Sequence, residues 1–234
     1  MKLIRHGKIF NPEDHRLPDG CNQFAQSPQT LIFKDFVRIY FSTRAVDYNN
    51  KFLSHVAYAD MSLELDTTIR VSKQPVISLG NLGCFDEHGI FPFSPLTHGN
   101  YVYAYTTGWS RRISVSVETG IGVAVSEDNG ETFQRKGSGP VLTASLNEPY
   151  LVADAFVKLF DGVFHMWYIF GTAWKQLEEG NEPERTYKIG HATSSDGFFW
   201  EKLDGHQLIE DVLGSGESQA LPCVIKIDKR YHMF

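Results

Sequence analysis

Three things are scarce in this sequence, and each scarcity excludes a class of protein. Cysteine occurs three times, as Cys21, Cys84 and Cys223, with no Cys-x-x-Cys pair. Widely spaced thiols in odd number build neither a disulfide framework nor a zinc site, so a reducing, cytoplasmic compartment is expected. Long apolar runs are missing too. The opening MKLIRHGKIF has no leader-like apolar stretch, and no window reaches the roughly 18 apolar residues of a membrane span. Basic clusters are the third absence: 22 Lys and Arg stand against 28 Asp and Glu, for a net charge of -6. That balance disfavours a nucleic-acid partner and suits a neutral or polar small molecule. No His-x-x-x-His pair, grouped carboxylates or nucleophile elbow appears. Hence no metal and no cofactor are expected, and a channel cation has no residues to support it.

What is present is strand material. With 42% hydrophobic and 13% aromatic residues, the 234 residues can fill one large core, and extended helical patterns are absent. The segments LSHVAYAD (53–60), IGVAVSED (121–128) and IGHATSSD (189–196) recur at a spacing of 68, each closing on an aspartate: Asp60, Asp128 and Asp196. Ahead of them stand β-branched and aromatic runs, VRIYFS (37–42), YVYAYT (101–106) and FHMWYI (164–169), and YHMF (231–234) begins a fourth. Short polar turns such as Lys34-Asp35 and Asp161-Gly162 join each run to an earlier apolar one, as in hairpins. PVIS (75–78), PVLT (140–143) and QLIE (207–210) are expected as last strands.

Each unit therefore reads as four short antiparallel strands, A to D, and repeated four-stranded units predict an all-β propeller. One domain is expected, with blades at approximately 22–78, 86–143 and 152–210 and a partial blade at 217–234. Because an unpaired half-blade leaves open edges, the sequence reads as a propeller truncated after about three and a half blades. LIRHGKIF (3–10) is a candidate for the strand that closes the ring. A β-sandwich is the competing architecture, but it would not produce the repeat.

The expected loops fall on two faces. SEDNGETF (126–133) and SSDGFFW (194–200) follow the Asp-box pattern, in which the aspartate caps its own turn, a structural role. The opposite face carries long loops with Arg44, Trp109, Arg111, Arg112 and Trp174, residue types suited to sugar recognition. The A strands are expected to open on that face and line a central funnel. Asp86, Asp154 and Glu217 lie near their starts, where burial and mutual repulsion would raise carboxyl pKa values. Two carboxyl groups across a scissile bond are what glycoside hydrolysis needs. Asp86 has a second reading as a turn cap ahead of Gly89, Glu87 reads as solvent-facing, and His88 reads equally as a sugar donor or a structural histidine.

RIYFSTR, LGCFDEHGIFPF, TTGW, IGVAVSEDNGETFQR, EPYLVADAFV, IGHATSSDGFFWE and ESQALPCVI together resemble the five-bladed propellers of the arabinanase, levansucrase and invertase superfamily. Within it they are most similar to the glycosidase-like proteins of bacterial polysaccharide-biosynthesis loci. The resemblance implies a glycoside hydrolase-like protein with an oligosaccharide or polysaccharide ligand. By the pattern of glycoside hydrolase family 43, Asp154 in VADAFV resembles the pKa-tuning Asp and Glu217 in GESQALP the general acid. The first-blade position of the general base is occupied by AQSPQ (25–29), with no carboxylate, and Asp86 is the candidate to replace it. The expected catalytic set is thus Asp86, Asp154 and Glu217. The expected substrate-binding set is Gln26, Arg44, His88, Trp109, Trp174 and Gln219. A non-catalytic carbohydrate-binding propeller, accessory to glycan assembly, is the alternative.

Overall fold

The computed structural model describes residues 5, 7–18, 20–214 and 216–234. Apart from a 3-10 turn at Pro12–Asp14, the regular structure of these residues is strand, and no helix among them is long and apolar enough to cross a membrane. Three antiparallel units follow one another along the chain. The first holds β1 (Asn22–Ile32), β2 (Val37–Val46), β3 (Phe52–Met61) and β4 (Thr68–Val71). The second holds β5 (Gly89–His98), β6 (Tyr101–Arg111), β7 (Val117–Ser126) and β8 (Gln134–Arg135). The third holds β9 (Val152–Phe160), β10 (Val163–Lys175), β11 (Glu184–Ser194) and β12 (Glu201–Lys202), and a hairpin of β13 (Val224–Ile227) and β14 (Arg230–Met233) comes last. A single parallel contact, Ser54 to Gly89, joins the first unit to the second.

Local chemistry explains these strands. The β9–β10 turn has φ of +53° at Asp161 and +81° at Gly162, the double left-handed conformation that matches strand twist. The middle strands are buried on both faces: Val37 to Thr43, Ala104 to Gly108 and Met166 to Gly171 are continuous buried runs. Strands covered on both sides favour apolar or small residues, and these runs hold to that except at Arg38, whose buried charge meets Asp60. Tyr40, Val56, Ile90, Phe93 and Phe133 fill the space between the first and second units. Tyr105, Ile121, Val157, Met166 and Phe164 fill the next. Full burial of such a side chain stabilises by about 1.5–3 kcal/mol relative to exposure.

The first unit is keyed to the second, and the second to the third, by a tyrosine. The Tyr40 hydroxyl donates to the Gly130 carbonyl at 2.7 Å, and Tyr105 donates to that of Gly197 at 3.2 Å. A Cβ on Gly130 would lie 2.2 Å from the Tyr40 oxygen, and one on Gly197 would lie 2.7 Å from that of Tyr105. These glycines belong to the Ser-x-Asp turns. Asp128 accepts from the backbone N–H groups of Glu131 and Thr132, Asp196 accepts from those of Phe198 and Phe199, and Ser126 and Ser194 complete the loops. The turns hold a glycine where the neighbouring tyrosine needs space, which is a structural task.

Two expectations are corrected here. PVIS, PVLT and QLIE are not the fourth strands, which are β4, β8 and β12. Those segments lie further along and touch the third strand at one residue each: Val76 N–H to Val56 O, Leu208 N–H to Ile189 O, and Val141 and Leu142 with Ile121 through an isolated bridge. Asp60 does not share the role of Asp128 and Asp196. It sits within β3 opposite Arg38, and the following turn is built by Ser62 and Asp66. Of LIRHGKIF, Leu3, Ile4 and His6 lie outside the described residues. Phe10 packs on Phe41 with ring centroids 5.2 Å apart, without belonging to a strand.

Candidate active site

The first strand of each of the three units slips register, and β1 slips a second time between Asn22 and Gln26. Register slips between Gln26 and Gln29 in β1, between Ile90 and Phe93 in β5, and opposite Trp167 and Ile169 in β9. Such a bulge re-aims a side chain. Ser27, Asp154 and Leu221 have left-handed φ of +48°, +52° and +50°, and Phe91 precedes a cis proline. All four line one cavity of about 440 Å³, together with Arg44, Thr107, Trp109, Glu182, Arg185 and Tyr187. The kinks therefore define four matching positions, occupied by Ser, Phe, Asp and Leu. Only one of the four is a carboxylate.

Asp154 is half-buried, and its N–H donates to the Thr107 hydroxyl at 2.8 Å. Aspartate tolerates left-handed backbone better than most residues, which suits it to the kink. Burial pushes its carboxyl up to about 6, against the lowering influence of the Leu221 backbone N–H and the Arg185 guanidinium. At pH 7 about a tenth of such groups hold their proton, the tuning that general acid–base catalysis needs.

Arg44 and Trp109 line the cavity. Gln26 accepts from Arg44 Nε at 3.2 Å and so positions that arginine. His88 stacks beside Trp109 with ring centroids 6.0 Å apart, and its Nδ1 accepts the Arg111 N–H at 3.4 Å. Neither Gln26 nor His88 lines the cavity.

The remaining expected site residues do not line this cavity. Asp86 is 1% exposed and turned into the protein, where its Oδ2 lies 2.7 Å from Arg135 Nε. It fills space left by glycines: a Cβ on Gly80 would fall 2.0 Å from Asp86 Oδ1, and one on Gly108 would fall 2.4 Å from Asp86 Cβ. The register of β5 is the reason, since the kink turns Phe91 inward. Glu87 also has a structural contact, accepting the Gly83 N–H at 2.9 Å. Glu217 closes its own loop, accepting the N–H groups of Val212 at 2.8 Å and Leu213 at 2.6 Å, and these bonds hold its carboxyl below the usual range. An acid held in its charged form is poorly suited to donate a proton. Gln219 is 8% exposed and spends its amide on Ile189 N–H, Ile209 O and Glu217. Trp174 packs on Leu151, Ala153, Ile169 and Ile189, beneath the Arg185 guanidinium, instead of standing free as a sugar platform.

Two charged lining residues, Glu182 and Arg185, were not singled out from sequence. They belong to a long polar loop and strand start with no local signature. The kinks did leave a signal. Ser27-Pro28 in β1, Phe91-Pro92 in β5 and Leu221-Pro222 ahead of β13 repeat one dipeptide pattern, and aligning these dipeptides locates Asp154-Ala155 as the fourth.

Gly89 makes room for the indole. A Cβ there would fall 2.1 Å from Trp109 Nε1 and 2.8 Å from Ser54 Cβ. Gly89→Ala is expected to displace Trp109, with a stability loss of about 1–3 kcal/mol. Chemical unfolding followed by tryptophan emission checks this, and an unchanged midpoint and spectrum would count against the packing described.

No family model matches the chain. Among solved structures, BT0996 in its RGII complex is similar over 95% of this chain and 68% of that one, with a TM-score of 0.67 and 15% identity. A thermostable family-43 glycoside hydrolase is similar over 85% of this chain and 60% of that one, with a TM-score of 0.59 and 17% identity. Zg3597, a family 117 glycoside hydrolase of Zobellia galactanivorans, is similar over 80% of this chain and 48% of that one, with a TM-score of 0.56 and 15% identity. These likenesses show the fold, an all-β propeller-type architecture. Two curated relatives from Mycobacterium tuberculosis, the uncharacterized proteins MT1551 and Rv1502, are each 31% identical over 236 residues, covering 100% of this chain and 75% of the relative. On that similarity, the chain belongs to the family of MT1551 and Rv1502.

Proposed function

We propose that this is a glycosidase-like protein that acts on a saccharide held in the Asp154 cavity, with Asp154 as its proton donor. The observation that carries the reading is the placement of one desolvated carboxyl, raised to about 6, in a cavity that also presents the aromatic Trp109. Sugar rings stack on such faces, and a carboxyl tuned near neutrality is what protonation of a glycosidic oxygen requires. The glycoside hydrolases that share the fold support the same reading. A polar groove lined by Arg112, Gln176 and Asn181 shares Ser116 and Glu182 with the cavity, giving an oligosaccharide room to continue. In this reading the ring has five blades, a count supported by the resemblance, and the protein serves bacterial polysaccharide metabolism. A cytoplasmic setting is supported by three free thiols.

One observation favours a non-catalytic carbohydrate-binding protein: Ser27 occupies the first-blade kink, where hydrolysis would place a base. Screening the full-length protein against an oligosaccharide panel, for binding and for cleavage, tests the proposal. Binding at the cavity with product release is the expected result. Failure to bind any saccharide of the panel would overturn it, and binding without turnover would select the second reading.

A further inference from the structure

Seven of the arginines divide into two groups. Arg38, Arg70, Arg111, Arg112 and Arg135 each meet a carboxylate within ion-pair distance. Arg44 and Arg185, which line the Asp154 cavity, make no such ion pair among the described residues. Arg44 gives its Nε to the neutral Gln26 amide and lies 5.2 Å from the Phe24 ring centroid and 5.3 Å from that of Phe52. Arg185 lies 5.7 Å from the Trp174 ring centroid and 3.5 Å from the Ser116 hydroxyl. Glu182, the other carboxylate of the lining, is exposed and pairs with neither arginine.

Aromatic faces hold a guanidinium in position without neutralising it. Its unused N–H edges can then offer parallel donors to an oxyanion, a geometry that an ammonium cannot match. Two arginines outside any ion pair face one concave space, where Asp154 alone feels the field of Arg185, in a chain whose net charge is -6. Neutral hydroxyl groups could be bound by amides or by arginines already paired with carboxylates. A negative group on the ligand gives these two cations a partner.

Resting on the saccharide reading above, we infer that the cavity takes an anionic saccharide, whose carboxylate or phosphate group is held by Arg44 and Arg185 while a sugar ring faces Trp109. The paired arginines of the neighbouring groove leave this charge selection to the cavity itself.

Calorimetric titration of the full chain with three probes tests the inference: a uronate oligosaccharide, a hexose 1-phosphate and the neutral counterpart of the first. At least one anionic probe is expected to bind about tenfold or more tightly than the neutral one, with the preference shrinking as salt is raised. The two anionic arms separate carboxylate from phosphate recognition. Arg44→Gln and Arg185→Gln are each expected to weaken the anionic complex by about 10- to 100-fold, and to cost the neutral complex at least tenfold less. Lysine at either position should restore part of the preference, and melting curves identify any variant that fails to fold. Equal binding of neutral and anionic probes would overturn the inference while leaving the saccharide reading intact. So would equal losses for both probes in the variants. If no saccharide binds at all, the saccharide reading falls and this inference falls with it.

Discussion

Replacing Asp154 with asparagine is expected to lower turnover of a cleaved saccharide by about 10²- to 10⁴-fold, the usual contribution of a positioned acid or base. Binding should persist, because asparagine keeps the shape and tolerates the left-handed backbone at φ +52°. The same variant should gain stability, and the gain should depend on pH. In the unfolded chain an Asp carboxyl titrates near 3.9, whereas burial pushes Asp154 up to about 6 in the folded protein. A raised folded value means that the protonated form favours the native state. Its stabilising contribution is fully present below the unfolded pKa and is lost as pH rises through about 6. The full loss is on the order of 3 kcal/mol, which for a chain of this size is roughly 5–10 °C in melting temperature. The asparagine amide has no such proton to lose. The variant should therefore melt well above the parent at pH 8 and close to it at pH 4. Turnover equal to the parent, or a melting difference independent of pH, would count against Asp154 as the cavity acid.

Asp60→Ala is expected to produce the largest loss of stability. Arg38 and Asp60 are 1% and 2% exposed, joined by bonds of 2.7 and 2.8 Å, and Arg70 adds a third at 2.7 Å. Arg38 also donates to the Asn129 carbonyl of the second unit, so the pair helps tie two blades together. Removing the carboxylate leaves a buried guanidinium uncompensated, at a cost of about 3–5 kcal/mol. Thermal melting should fall by roughly 10 °C. Arg70 is 46% exposed, and Arg70→Ala should cost about 1 kcal/mol or less, as exposed pairs do. A parent-like melting curve for Asp60→Ala would show that the buried pair does not carry this load.

The strands were legible in the sequence because a sheet buried on both sides requires apolar and β-branched runs. The three runs at 37–42, 101–106 and 164–169 all fall within β2, β6 and β10. The ends of the units were harder to read. β4, β8 and β12 are short and half-exposed, and they carry less signal than PVIS or PVLT beside them. Asp154 was legible because it stands between alanines at the head of an apolar strand, with no turn of its own to cap. Asp86 looked equivalent by position along the chain, but the kink in β5 presents Phe91 to the cavity. Glu217 gave no sign of its use in closing a loop, since backbone donors are invisible in a sequence. Arg185 was missed for the opposite reason: its meaning lies in the absence of an acidic partner, which only packing can reveal.

The kinks have an evolutionary consequence. Each places one side chain at the cavity by main-chain geometry, and among the described residues only the Asp154 carboxyl has a bond to the next segment, from the Leu221 N–H. Ser27, Asp154 and Leu221 share left-handed backbone, which makes them three like sockets beside Phe91. Substituting aspartate for Ser27 would add a second carboxylate at a position whose backbone already suits that residue, without disturbing the core. A scaffold of this kind can gain, retune or abandon a chemistry through one codon at a time, while its architecture stays as it was.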